Sequence, residues 1–254
     1  MSASKVPASL VESIREFHEE LRLNRVTEIL HFQGAYTLFR LPGVQQFLGA
    51  FDISQPNLTY TLAEQERISD FRHFRRIFLV HLWSSLEHLI FRTIYRLIED
   101  KTFEIDNDQI IKLQKTANGD NSANEEWYVK RIPLQFKGIT NAIDKFEAAL
   151  SGLGLPNSGV PPDNLADNMK IGLNELYHIR NCVVHRRSKV DKQLLSLAPS
   201  LHNRCILGEL IPVDSLQSIL YEVAVIQYAF SVYVRVYKRY GADEENLRED
   251  IKFS

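Results

Sequence analysis

The residues best suited to chemistry lie between Asn174 and Arg187, in the order Asn-Glu-Leu-Tyr-His-Ile-Arg-Asn-Cys-Val-Val-His-Arg-Arg. Wound as a helix at about 100° per residue, Leu173, Leu176, Ile179, Val183 and Val184 form an apolar face. Asn174, His178, Asn181 and His185 fall within about 60° of one another on the opposite side. Such a stripe can donate and accept hydrogen bonds and, through its imidazoles, exchange protons near neutral pH. Arg180 breaks the pattern, because its direction falls among the apolar positions. A guanidinium there must reach past its neighbours to water or meet a carboxylate, since burial without a partner is costly. Glu87 poses the mirror-image problem, lying among Val80, Trp83, Ile90, Phe91, Ile94 and Ile98 on another helical wheel. Either the two face each other, or one or both reach a helix edge and solvent.

Helical elements must position these groups. Ser9 to Leu23 reads as an amphipathic helix with Leu10, Ile14, Phe17 and Leu21 on one face, and a second helical piece spans Thr27 to Phe39. Thr61-Leu62-Ala63-Glu64 has the form of a capping box and opens a helical stretch running to Glu99, with a kink expected around Arg72 to Arg76. A short helix is expected over 107–114, then a polar loop from the Asn118-Gly119-Asp120 turn to Asn124, and a helix over 138–150. Ser151 to Asn164 is rich in Gly and Pro and reads as a linker. The informative helix covers 167–187. An irregular region over 191–212 follows, with short strands expected at 204–206 and 209–211. Asp214-Ser215-Leu216-Gln217 opens a final long helix to about Tyr240, and the acidic tail beyond Gly241 is expected to fray.

Composition bounds the function. Net charge is −2 with 44% apolar residues, so a real core is possible and any nucleic-acid site must be a local basic cluster such as Arg186, Arg187 and Lys189. These three equally suit a solvated face. Two cysteines without paired spacing argue against a disulfide scaffold or a zinc site and fit a reducing, cytoplasmic setting. No signal peptide is evident, and the apolar run over 219–236 reads as a buried helix rather than a membrane span. No P-loop, Gly-rich dinucleotide turn, nucleophile elbow or metal-ligand spacing stands out, so no metal or cofactor is expected.

Arg180-Asn181-x-x-x-His185 resembles the Arg-polar-x-x-x-His signature of the HEPN (higher eukaryotes and prokaryotes nucleotide-binding) family. Phe78 to Ile98, with its Trp-Ser-Ser-Leu-Glu run, looks like that family's early core helix. The resemblance covers roughly 61–240, and the first 60 residues match no known pattern. It implies an all-α fold, a HEPN-like antiparallel helical bundle over 61–241, with an N-terminal helical extension over 1–60 and an acidic tail over 242–254. It also implies a homodimer in which two motifs meet in one composite site. Many such proteins are ribonucleases that need no metal, and some are toxins or defence effectors. On this reading His185 is the acid or base, Arg180 stabilises phosphate charge and Asn181 orients the imidazole or ribose. Glu87 and His178 are supporting residues, and Arg186, Arg187 and Lys189 contact RNA. An antitoxin or nucleotidyltransferase is the kind of protein partner the resemblance suggests. The alternative it leaves open is a non-catalytic dimer that binds a nucleotide or partner protein.

Overall fold

The computed structural model describes residues 6–29, 71–100, 107–120, 123–136, 141–155, 163–198 and 203–252, with isolated positions at 64, 67–69, 105, 138, 139 and 201. The Thr61 to Ala63 part of the expected capping box and most of the expected second helical piece lie outside them. The named elements are all helices: α1 Ala8–Ile29, α2 Arg72–Glu99, α3 Asp108–Asn118, α4 Glu125–Gln135, α5 Ala142–Gly152, α6 Asp163–His185, α7 Lys192–Leu197, α8 Ser215–Arg239 and α9 Glu244–Lys252.

Local chemistry sets many of these boundaries. Asn107, Asn124 and Asn141 cap α3, α4 and α5, the side-chain oxygen accepting two backbone N–H groups of the first turn at Asn107 and Asn141 and one, from Trp127, at Asn124. Asp191 does the same for α7 and Asp214 for α8, each at 2.8 Å. In place of the kink expected around Arg72 to Arg76, the break falls just before that stretch: Phe71 adopts left-handed φ and ψ of 55° and 37°, and α2 starts after it and runs through 72–76.

α2 is the central post. Leu79, Leu82, Trp83, Leu86, Ile90 and Ile94 are wholly buried along it. α1, α4, α5, α6 and α8 pack around it, and α8 also packs on α6. Trp83 joins three of these helices, with ring centroids 5.8 Å from Phe146 on α5 and 5.2 Å from Tyr177 on α6. The apolar face expected on α1, Leu10, Ile14, Phe17 and Leu21, is buried in the same core. Arg92 of α2 pairs with Glu16 of α1 and, at 2.5 Å, with Glu125 of α4. α8 is long and apolar enough to cross a membrane, but 61% of its apolar window is buried within the protein.

Three expectations need correction. α4 was not anticipated; it buries Trp127, Tyr128 and Ile132. No strand forms among the described residues at 204–206 or 209–211. Their backbone runs in turns, and only an isolated bridge joins Lys189 to Leu210. The tail folds as α9, started by a reciprocal cap between Asp243 and Asn246 and anchored by the fully buried Leu247.

Candidate active site

α6 carries the motif, and its final turn is fixed by an unusual exit. The Arg186 and Ser188 N–H groups both donate to the Cys182 carbonyl, at 2.9 and 3.0 Å. Arg187 and Ser188 then take left-handed φ angles of 54° and 62°. Such conformations cost non-glycine residues roughly 1–2 kcal/mol each. The chain is held there from outside. Ile211 N–H donates to the Ser188 carbonyl, and Val190 exchanges backbone hydrogen bonds with Gly208 and Glu209.

The exit leaves His185 exposed on the last turn, with no hydrogen bond or ion pair to a described residue. Arg180 is half-buried. Its Nη1 donates to Asn181 Oδ1 at 3.1 Å, while its Nε is buried with no hydrogen-bond partner among the described residues. His185 lies five positions after Arg180, which on a helix turns their directions about 140° apart. Asn181 lies one turn before His185 and about 40° round from it. A single chain therefore brings Arg180 and Asn181 together but points Arg180 and His185 apart.

Glu87 lies close enough to α6 to feel Arg180. Burial raises its carboxyl above the usual range, and the charges of Arg180 and then Lys145 pull the other way. Glu87 and Arg180 make no ion pair within 4.0 Å, so the expected facing is one of charge across a gap rather than contact. Lys145 on α5 was not anticipated; it comes from a helix that no α6 or α2 wheel contains.

The helical wheel misplaced two residues. His178 was assigned to a polar stripe but is 9% exposed, whereas Val184, assigned to the apolar face, is 49% exposed. The physical reason is α7 with the turns after it, which cover the side of α6 bearing Glu175, His178 and Cys182 and leave the last turn projecting. Burial pushes the His178 imidazole below its ordinary value, opposed by the charge of Asp191. The Cys182 thiol is pushed up to about 11 by burial and then by Asp191. Asp191 is thus a second missed residue. It caps α7, neighbours His178 and Cys182, and stands 3.8 Å from the Arg186 guanidinium. Its Asp-Lys-Gln-Leu sequence before an apolar turn was the available signal. Arg187 and Lys189 are exposed beside it and form no ion pair among the described residues.

The arrangement presents an open imidazole able to take or give a proton, exposed cations around it, and on another side a guanidinium held by an amide. No protein-family model, curated protein or solved structure matches the chain.

Proposed function

We propose that this chain is a metal-independent endoribonuclease of the HEPN type, a toxin or defence effector that acts on RNA as a homodimer. One observation carries the reading: Arg180 is tied to Asn181 while His185, on the same helix, is open to solvent and turned away. On this reading a second α6, apposed across a twofold axis, brings the His185 of one protomer to the Arg180 of the other. In such a site one His185 removes the proton of a ribose 2′-OH, whose oxygen attacks the adjacent phosphorus. The P–O5′ bond breaks, and the leaving 5′ oxygen takes a proton from the other His185. Arg180 stabilises the charge that gathers on the phosphorane oxygens. The products are a 2′,3′-cyclic phosphate and a 5′-OH.

The test is cleavage of a mixed RNA in EDTA by the wild type and by His185→Ala. Because His185 is exposed, the substitution leaves the core intact. EDTA-resistant cutting that falls by about 10²-fold or more in the variant, with cyclic-phosphate ends, is the expected result. Intact RNA with folded wild type, or equal cutting by the variant, overturns the proposal.

A further inference from the structure

Among the described residues, the N-terminal half of α8 leaves apolar side chains exposed along one face. Leu216, Ile219, Leu220, Val223 and Ile226, with Ile171 of α6 beside them, are exposed to degrees running from 41% at Ile226 to 64% at Leu216. Four of them, Ile171, Leu216, Leu220 and Val223, line a groove of about 600 Å³ between α6 and α8 that also includes Gly172 and Ala224. The six side chains expose apolar surface on the order of 500 Å², in the upper part of the range of about 300–600 Å² for a monomer's largest patch, which is often functional. That is about the apolar share of a standard interface, which buries roughly 800 Å² per partner.

We infer that this face seats a second copy of the same chain, with the two α8 helices antiparallel about a twofold axis level with residue 222. Self-pairing brings like charges together unless they are already neutralised, and the flanking charges here are. Glu222 pairs with Arg25 of α1, and Asp214 with Arg204 at 2.7 Å. A buried polar atom also requires a partner. Gln217 is 8% exposed, lines the groove, and its Oε1 has no hydrogen bond among the described residues. The antiparallel register sets the Gln227 amide of one copy level with Gln217 of the other, which supplies a donor.

The contact is distinct from the one a composite ribonuclease site needs. α6 and α8 run antiparallel where they touch, with Gly172 beside Ala224 and Glu175 bonded to Tyr221. His185 therefore lies about 16 Å along α6 from the middle of the stripe. Two copies joined here hold their motifs at opposite ends, so the chain has a self-association face beyond its motif.

The experiment is the mass of the full chain at micromolar concentration, by sedimentation equilibrium, for the wild type and for Leu220→Glu/Val223→Glu. The expected result is a wild type of at least two chains and a variant of half that mass, with unchanged helical circular dichroism. Should the variant misfold, Val223→Cys, close to the axis, replaces it. Under oxidation it forms a disulfide-linked dimer, whereas Leu216→Cys, about 9 Å along the helix from the axis, does not. A wild type of one chain, a folded glutamate variant of unchanged mass, or equal cross-linking at both cysteines overturns the inference. RNA cleavage is not the readout: a folded glutamate variant of unchanged mass, or equal cross-linking, overturns this face alone and leaves the ribonuclease reading standing, a wild type of one chain counts against both, and absence of cleavage leaves this inference standing.

Discussion

Arg180 and Asn181 are adjacent in sequence and joined through their side chains, Nη1 donating to Oδ1 at 3.1 Å. The amide holds one arm of the guanidinium, and with Nε buried the other terminal nitrogen is the arm left to meet an anion. Lysine cannot reproduce that geometry, because it is a point charge on a flexible stem. On the proposed ribonuclease reading, Arg180→Lys is expected to lower kcat for RNA cleavage about 10²-fold. Asn181→Ala, which only frees the fork, should lower it less. Steady-state kinetics on one defined RNA compares the two, and equal losses would remove the holding role from Asn181.

Glu87 gives a signed pH effect. Its carboxyl is raised in the folded state, mainly by burial. Below the unfolded value of about 4.3 both states are protonated and the group is neutral to stability. As pH rises past that value, the unfolded chain releases its proton first, and the folded state loses ground until the pH exceeds the raised value. Glu87→Gln has no proton to lose. Its Tm relative to wild type should therefore climb between pH 4 and pH 7. Melts across that range check it, and a constant difference contradicts it.

Deep in the bundle, Arg235 of α8 makes a two-pronged pair with Glu147 of α5, at 2.8 and 2.9 Å, and Tyr228 donates to the same carboxylate at 2.7 Å. The two side chains are 6% and 16% exposed. Removing one partner of such a pair strands a buried charge. Arg235→Met should destabilise the protein by about 3 kcal/mol in urea unfolding, and adding Glu147→Gln should recover most of the loss.

His88 stands 3.8 Å from Glu20 across the α1–α2 seam, and that carboxylate holds its imidazole above the ordinary value. A base raised by folding stabilises fully below its unfolded value of about 6.5, and that contribution disappears as pH rises through the folded value. Both groups are close to half-exposed, so the effect is small. The Tm of His88→Gln should converge on that of wild type as pH rises from 6 to 9. A gap that stays constant over that range would remove the linkage.

The helical class, the α6 register around Arg180 and the start of α8 at Asp214 were legible because each rests on local chemistry: periodicity, an out-of-place charge, a cap. α4 was hidden because Pro133 and four charged residues blur its pattern, and its burial of Trp127 is a tertiary fact. α9 was hidden because its sequence is mostly charged and a single leucine, Leu247, anchors it. His178 and Val184 were exchanged for a related reason. A wheel records which residues are apolar, but which side of the helix a neighbour covers depends on α7, a later part of the chain. Lys145 was invisible because its nearness to Glu87 arises only when α5 docks on α2 and α6.

The Cys182 thiol, 3% exposed under α7 with its acidity suppressed to about 11, has a practical consequence. In the closed protein it is almost entirely neutral at pH 8 and shielded from reagents, so it reacts only when α7 lifts away from α6. The chain thus contains its own clock for that opening. The rate at which a thiol reagent consumes Cys182 in the native state, located by mass spectrometry of the labelled peptide, times the exposure of the helix face behind the motif.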